Sequence, residues 1–407
     1  MKKAAILGGS LDQDKLVQEF KRLGFQTILF DYYEHPPAKE TADKHYRVST
    51  YDQEAVLEIC RREKIDLIGT VSTDQPLVTA AYVAEQLGLA HPLSYRQACC
   101  LTHKAYMKEI LAKSAIPTPR HLILESDSFH QGIENLTLPC VIKPVDSSGS
   151  RGVSFMTSHD QIKSCCSFAM EQSRAKKVII EEKIEGILVS VDAIVVDGKV
   201  EVLLIIDNAM FSDKLGLFRK MTYPSVIIPA AKEKIITVMQ QIAEAFQLEN
   251  TPLFVQFIVT GSGEVYVLEL SARVAGGSKP YLIPRLSNVD LVSLYASQLL
   301  KEKISFKKQE KAGFYTCNYI WCDQKGKIRE IEGAEQLLAD QIIEHSGFYK
   351  KPGDYSEGRE NGSNRIGFFY IAGETKEEIK TKTDLADQTL KIINQAGNDM
   401  MMHNIYD

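Results

Sequence analysis

Several features common in specialised proteins are scarce or missing in this sequence of 407 residues. It contains one tryptophan, and no stretch approaches the roughly 18 consecutive apolar residues that a membrane-spanning helix needs. Its 48 basic and 53 acidic residues give a formal net charge of -5, so positive charge is not in excess. Nucleic-acid-binding proteins usually carry such an excess. We therefore expect a protein that binds neither nucleic acid nor membrane.

The eight cysteines lack the spacing of a metal or redox site. None forms a CxxC pair, and the adjacent cysteines Cys99–Cys100 and Cys165–Cys166 rarely bridge each other. The first residues, MKKAAILGGS, are basic and then apolar, but the apolar run is too short for a signal peptide and leads directly into glycines. We therefore expect a cytoplasmic protein with reduced, buried thiols.

Strand-like and helix-like segments alternate in the first part of the chain. In order, they are KAAILGG, DKLVQEFKRLG, FQTILFD, DQEAVLEICRREK, DLIGTVS and PLVTAAYVAEQLG. This alternation predicts a parallel sheet that is covered on both faces. Ligands of such sheets bind beyond the carboxyl ends of the strands, here near Gly8–Ser10 and Ser72–Asp74. The segment ILGGSLDQD lacks the GxGxxG spacing, so we do not expect a dinucleotide site.

The pattern changes after the helix-like segment THKAYMKEILAKSA, which ends before Pro117 and Pro119 because proline cannot continue a helix. From His121 to about Leu270 the chain reads as short strands with hairpin turns at residues 196–198 and 261–263. This pattern predicts antiparallel sheet in an α+β region.

A second α+β unit follows, with a charged helix predicted over residues 375–397 and a loosely held tail after it. The sequence therefore predicts a mixed α/β and α+β protein with an N-terminal α/β domain at residues 1–95. It also predicts a central domain at 96–300, with a lid at about 115–185, and a C-terminal α+β domain at 301–407. The C-terminal domain is also a candidate dimer surface.

The segment VIKPVDSSGSRGVSF places Lys143 at the end of a predicted strand and a loop of serines and glycines at residues 147–153 after it. This arrangement suits a polyphosphate, because the ammonium supplies a point charge while backbone N–H groups surround the oxygens. The spacing differs from that of a Walker P-loop. An ordinary hairpin with a surface lysine is the alternative.

The segments FVQFIV and VYVLELSAR predict two paired strands with Gln256 opposite Glu269. Together with the hydroxyl of Ser271, these side chains form an oxygen-rich pocket of the kind that binds Mg²⁺. Alternation along the second strand would group Glu269 with Val265 and Val267. A solvent-facing hairpin with one acid is the alternative.

The segment IIEEKIEG ends an apolar strand in two carboxylates, Glu181 and Glu182. Such a strand end can offer backbone groups to the edge of a purine and a carboxylate to its amino group. A solvated acidic turn is the alternative.

Taken in order, these segments resemble the ATP-grasp superfamily, and in particular its carbamoyl-phosphate-synthase-like and L-amino-acid-ligase branch. The resemblance covers the chain from Met1 to about Leu300. The positions that carry it are Lys104, Lys143 with its loop, Glu181–Ile184, Gln256, Glu269 and Arg273.

The resemblance implies a ligase that binds ATP with Mg²⁺, or with Mn²⁺ in its place, and joins a small-molecule carboxylate to an amine through an acyl phosphate. The implied nucleotide contacts are Lys104, Val141, Lys143, Ser147, Ser148, Gly149, Ser150, Gly152, Val153, Glu181, Glu182, Lys183, Ile184 and Leu268. Among them, Glu181 takes the adenine amino group, and Val141 and Leu268 enclose the ring. The implied metal ligands are Gln256, Glu269 and Ser271, and the implied catalytic residues are Arg273 and Lys143.

Two positions depart from the family pattern. Many members bind ribose through a glutamate two residues after the glycine of the EEKIEG-type motif, where this chain has Leu188. Ser271 stands where an asparagine commonly completes the metal site. Ribose binding is therefore unassigned, and a bicarbonate-activating enzyme or a non-catalytic nucleotide-binding protein are the alternatives.

For the substrate, two basic segments are candidates. The stretch NAMFSDKLGLFRKMTYPS predicts a loop over the site, in which Lys214 and Arg219 would meet an anionic substrate. An ordinary solvated connection is the alternative. In the segment RVAGGSKPYLIPRLSNVDLV, we expect Arg285 to hold a substrate carboxylate.

Overall fold

The computed structural model describes residues 1–125, 132–147, 149–214 and 216–406. In this part of the chain the strands are Lys3–Leu7 (β1), Gln26–Asp31 (β2), Lys44–Arg47 (β3), Leu67–Gly69 (β4), His121–Glu125 (β5), Cys140–Pro144 (β6), Ser154–Met156 (β7), Lys177–Glu182 (β8), Ile187–Val196 (β9), Lys199–Met210 (β10), Phe218–Tyr223 (β11), Thr251–Val259 (β12), Val265–Ser271 (β13), Phe314–Ile320 (β14), Lys325–Glu332 (β15), His345–Phe348 (β16), Tyr355–Glu357 (β17), Gly367–Gly373 (β18) and Lys391–Asn394 (β19). The helices are Leu11–Arg22 (α1), Gln53–Glu63 (α2), Asp74–Leu87 (α3), Tyr95–Thr102 (α4), Lys104–Lys113 (α5), Ile162–Glu171 (α6), Pro229–Ala245 (α7), Lys279–Ser287 (α8), Leu291–Leu299 (α9), Ala334–Ala339 (α10) and Lys376–Thr389 (α11).

The N-terminal sheet is parallel and has the strand order β3-β2-β1-β4. Its central strands are buried because helices pack on both faces, as the alternating sequence pattern predicts. The edge strand β3 escaped prediction because its four residues, Lys44–Arg47, are only partly buried and show no apolar run. The predicted mixed α/β class is confirmed.

A small antiparallel sheet, here called the lid sheet, has the order β5-β8-β6-β7. On one face, Cys140, Ile142 and Ile180 pack against α6 in a buried cluster. Because side chains alternate along a strand, Lys143 and Glu181 lie on the opposite face. The lid sheet therefore presents a charged face away from its own core.

A long antiparallel sheet, here called the central sheet, has the order β13-β12-β9-β10-β11-β14-β18-β16. Strands from both sides of residue 300 pair within it, since β11 is hydrogen-bonded to β14 along Lys220–Tyr223. Helix α7 covers one face in a large apolar cluster. The division of the chain near residues 95 and 300 stays a prediction.

The C-terminal end differs from the prediction in two ways. The predicted helix over 375–397 ends at Thr389, and the apolar residues Ile392 and Ile393 form the buried strand β19. The predicted loose tail is instead packed, because Tyr406 is buried and the N–H of Met402 donates to the carbonyl of Trp321 at 2.8 Å. Within the described residues, no helix combines the length and apolar character needed to cross a membrane.

Candidate functional site

Lys104 lies at the meeting point of helix α5, the loop after β6 and strand β13. Its backbone N–H donates to the carbonyl of Val145 at 2.8 Å, and its ammonium donates to the carbonyl of Ser147 at 2.7 Å. The same ammonium lies 3.5 Å from a carboxylate oxygen of Glu269. A single lysine thus links the glycine–serine loop of the lid sheet to the edge of the central sheet.

Glu181, on the charged face of the lid sheet, is enclosed by two lysines. Its carboxylate pairs with Lys143 of the adjacent strand and, at 2.8 Å, with Lys108 of α5. Burial alone would raise the pKa of Glu181, but the two ammonium groups outweigh burial and hold the pKa at about 2. The carboxylate is therefore ionised at neutral pH and can only accept hydrogen bonds.

The edge of the central sheet supplies oxygen donors. Gln256 and Glu269 are direct cross-strand partners, and Ser271 pairs with Phe254 one step further along. Among the described residues, the hydroxyl oxygen of Ser271 is buried and finds no hydrogen-bond partner. Gln256, Glu269 and Ser271 therefore lie close together on the paired strands β12 and β13, and Glu269 contacts Lys104.

The side of the strand on which Glu269 lies was predicted wrongly. A β-bulge next to Leu268 adds one residue between the partners of Gln256 and Phe257. As a result, Leu270 rather than Glu269 joins Val265 and Val267 in the buried cluster. The bulge thus turns the carboxylate out of the core.

The loop at residues 147–153 packs against two other segments. Gly149 (φ 67°) accepts a hydrogen bond at its carbonyl from the N–H of Gly362 at 3.1 Å. A Cβ added to Gly216 would lie 2.1 Å from the hydroxyl of Ser150. Gly152 lies so close to Pro144 that a Cβ there would approach a ring carbon to 2.8 Å. Ser148 lies outside the described residues.

The segment after β8 is fixed within the lid. The N–H of Glu182 donates to the carbonyl of Arg120 and that of Lys183 to the carbonyl of Pro139, each at 2.9 Å. The carboxylate of Glu182 accepts from the N–H of Thr137 at 2.8 Å. Hydrogen bonds therefore hold the segment that leads to Ile184 beside Glu181.

Arg273 is held by the N-terminal domain. Its guanidinium contacts one carboxylate oxygen of Asp74 at 2.7 and 2.6 Å, and it also donates to the carbonyl of Val274 at 3.1 Å. Asp74 is the first residue of α3, just beyond β4, and Ser72 donates from its N–H to the carbonyl of Val274 at 2.9 Å. The carboxyl end of the parallel sheet therefore meets the loop after β13.

The predicted substrate residues Arg219 and Arg285 have hydrogen-bond partners of their own, whereas Lys214 lies two residues before Gly216, which packs against Ser150 of the loop at residues 147–153. Arg219 donates to the carbonyls of Met210 and, at 2.5 Å, of Ile405 in the C-terminal tail. Arg285 donates to the carbonyl of Tyr281 at 2.9 Å and lies over the ring of Tyr370. Lys214 is exposed in a bend. These recorded contacts do not join them to Lys104, Lys143 or Glu269, and their assignment to a substrate stays a prediction.

Sequence reasoning assigned no role in the site to three charged groups that lie near it. Lys108 lies four residues after Lys104, on the same face of α5, and this spacing could have revealed it. Asp74 clamps Arg273 from a distant part of the chain, which no local pattern indicates. Lys279 forms a completely buried ion pair with Asp192 and donates to the hydroxyl of Ser190 at 3.1 Å.

An antiparallel lid sheet, linked through Lys104 to the carboxylate edge of a larger antiparallel sheet, is compatible with an ATP-grasp fold. Residues 136–280 match the ATP-grasp domain family, residues 5–86 the PylC-like N-terminal domain and residues 318–395 the L-amino acid ligase C-terminal domain 2. The resemblance to the ATP-grasp superfamily is therefore confirmed, and the ATP-grasp match lies between the other two matches along the chain.

Curated relatives include two formate-dependent phosphoribosylglycinamide formyltransferases. The Bacillus velezensis protein is 33% identical over 190 residues, which cover 44% of this chain and 48% of that protein. The Shewanella frigidimarina protein is 29% identical over 287 residues, which cover 67% of this chain and 68% of that protein. The chain thus spans about half the length of the first of these relatives.

Solved structures with the same fold include the L-amino acid ligase of Bacillus licheniformis, with a TM-score of 0.79 and 19% identity over 97% of this chain and 99% of that one. The phosphoribosylglycinamide synthetase of Anaerococcus prevotii has a TM-score of 0.77 and 23% identity over 97% of this chain and 100% of that one. At these identities the likeness establishes the fold.

Proposed function

We propose that this protein is an ATP-dependent carboxylate–amine ligase that works through an acyl phosphate and releases ADP and phosphate. The observation that carries the proposal is the meeting of Lys104, Lys143, Glu181 and Glu269 between the lid sheet and the central sheet. Two cations, a buried acceptor and an oxygen-rich edge are what a nucleoside triphosphate requires of a binding cleft.

In the proposed complex, the lid face and the sheet edge hold opposite ends of the nucleotide. Glu181 accepts from the adenine amino group, and Val141 and Leu268 cover the ring from the two walls. Lys104 and Lys143 neutralise the phosphates, and the backbone of residues 147–153 surrounds their outer oxygens. Leu188 is buried, so it offers nothing to the ribose.

The proposed metal ligands are oxygen donors of the kind that would hold a magnesium ion. Within the described residues, no group of three or more His, Cys, Asp or Glu side chains is placed to hold a metal. The proposed site instead combines the carboxylate of Glu269 with the amide oxygen of Gln256 and the partnerless hydroxyl of Ser271. When bound, Mg²⁺ would neutralise charge on the phosphates.

The proposed reaction has two steps. A carboxylate oxygen of the substrate attacks the terminal phosphorus, and the bond to ADP breaks. The amine then attacks the carbonyl carbon, phosphate leaves with the electron pair of the C–O bond, and the amine gives up a proton. Lys143 and Arg273 oppose the negative charge that develops, so positioning and electrostatics supply most of the rate.

The names of the relatives support this class of chemistry. Formate, named in the formyltransferases, is a carboxylate, and an amino acid, named in the ligase structure, is both a carboxylate and an amine. A small-molecule carboxylate and a small-molecule amine are therefore the substrates that we propose here.

Phosphate release tests the proposal. The purified chain, with ATP and Mg²⁺, is incubated with pairs of amino acids, with formate plus an amine, and with bicarbonate plus an amine. We expect release that requires both a carboxylate and an amine, with equal amounts of ADP and phosphate. Release stimulated by bicarbonate alone would replace the proposal with carboxylation chemistry, and bound ATP without release under any pair would contradict catalysis.

The clamp on Arg273 leads to a further prediction. In Asp74→Asn the side chain keeps its shape but loses the charge that fixes the guanidinium. We expect kcat to fall by about 10- to 100-fold, while the KM for ATP stays near its original value, because misplacing one charge weakens transition-state contacts. Steady-state kinetics measures both constants. Asp340→Asn, at an exposed position, is the control, and an unchanged kcat in Asp74→Asn would show that the clamp is dispensable.

A further inference from the structure

Lys108 is a completely buried lysine to which the proposed reaction gives no task. Its ammonium lies 2.8 Å from the carboxylate of Glu181, 3.2 Å from the carbonyl of Val267, and in hydrogen-bonding contact with the hydroxyl of Thr118. These partners belong to the lid sheet, the central sheet and the segment that connects α5 to the lid. Lys108 therefore sits at the junction of helix α5, the lid sheet and the central sheet.

Lys143 cannot contact Glu181 and the phosphates of a bound nucleotide at the same time in the proposed complex. In the structure it pairs with Glu181, whereas the proposed nucleotide complex requires it at the phosphates. Once Lys143 turns to the phosphates, Lys108 is the remaining ammonium partner of Glu181 among the described residues. Lys108 cannot follow, because its side chain is 0% exposed and held by Thr118 and Val267.

A buried carboxylate without a cation takes up a proton, because the charged form is poorly solvated there. An ionised carboxylate only accepts hydrogen bonds, whereas a protonated one can also donate. The edge of adenine presents an amino donor where guanine presents an oxygen acceptor. The ionised form of Glu181 can therefore bind the amino group of adenine but not the oxygen of guanine, whereas the protonated form can bind either.

We propose that Lys108 is a positioning residue that keeps Glu181 an acceptor while Lys143 serves the phosphates, and thereby sets the preference for adenine over guanine nucleotides. The inference rests on the proposed function, in which Glu181 receives the base. In this proposal Lys108 is the fixed partner of Glu181, and Lys143 is the partner that moves to the phosphates.

The test compares the dissociation constants of ATP and GTP by isothermal titration calorimetry on the full chain with Mg²⁺. In Lys108→Met, we expect the ratio of the GTP to the ATP constant to fall by about 10- to 100-fold, the range that an unsatisfied buried partner produces. Lys113→Met is the matched control, because Lys113 lies on the same helix, has a 72% exposed side chain and pairs with Glu109 at the surface. A folded Lys108→Met with the original ratio would overturn the inference.

A second pair of variants covers the case in which Lys108→Met does not fold. Glu181→Gln has no charge to neutralise and offers both a donor and an acceptor, so its ratio should already be low. Adding Lys108→Met to it should leave that ratio unchanged, and the double variant should fold because no buried carboxylate is left unpaired. A further fall in the double variant would mean that Lys108 acts on the base independently of Glu181, which would also overturn the inference.

These outcomes are distinguishable from failure of the proposed function. A wild-type chain that binds neither nucleotide would overturn the ATP site itself. A wild-type chain that prefers ATP, with a Lys108→Met variant that prefers it equally, would leave the site in place and remove only the role of Lys108.

Discussion

Replacing Lys143 with alanine should reduce carboxylate-dependent ADP formation by about 100- to 1000-fold, the usual effect of removing one preorganised charge from a reaction centre. The ammonium is placed at the strand end next to the loop at residues 147–153, where we propose that the phosphates bind. A coupled assay for ADP, run at saturating substrates, measures the loss. The fold should persist, because Glu181 keeps Lys108 as a partner in the variant.

The matched control is Lys163→Ala, an exposed lysine on α6, on the far face of the lid sheet. It removes the same charge from the same part of the chain, and we expect its turnover to stay near that of the wild type. Circular dichroism and the melting temperature check the folding of both variants. If a folded Lys143→Ala retains its turnover, Lys143 is not at the reaction centre and the proposed orientation of ATP is wrong.

The fold was predictable where local patterns and the tertiary structure agree. The strands and helices of the N-terminal sheet follow from apolar periodicity, because each element buries a face whose spacing shows in the sequence. Strand β19 could not be predicted in this way, because its residues Lys391–Asn394 continue a helical pattern in the sequence. They form a strand because they pair with β15. The tail was likewise unpredictable, because the pocket that receives Tyr406 is built from distant segments.

Some residues of the candidate site could likewise be predicted from the sequence, and others could not. Lys143, Gln256 and Glu269 could be found because each lies in a motif whose spacing has a chemical meaning. The face of strand β13 on which Glu269 lies could not be predicted, because it is set by a β-bulge that arises from pairing with β12. The ion pairs of Lys108 with Glu181 and of Asp74 with Arg273 join elements that are far apart in the chain. The spacing from Lys104 could have revealed Lys108 itself, but one sequence gives no local signal for these pairings.

Removing Lys279 from its buried pair with Asp192 should strongly destabilise the protein. The two side chains are 2% and 1% exposed, so Lys279→Met would leave a carboxylate unpaired in the interior. We expect the free energy of unfolding to fall by about 3–5 kcal/mol, the usual effect of removing one partner of a buried pair. Denaturant unfolding, followed by fluorescence and circular dichroism together, measures it. Lys376→Met is the control, because Lys376 also begins a helix but is exposed.

The pH dependence of this loss identifies its cause. Burial raises the pKa of Asp192 even with Lys279 present, and removing the lysine takes away the opposing effect. A group whose pKa is raised by folding contributes most at low pH, where it is protonated, and destabilises the fold as the pH rises. The loss of unfolding free energy in Lys279→Met should therefore be smaller at about pH 5 than at about pH 8.

A double variant tests the same cause. Adding Asp192→Asn, which removes the unpaired charge, should restore much of the stability at pH 8 and make the loss nearly independent of pH. A deficit that is equal at both pH values would assign the loss to packing rather than to the buried carboxylate.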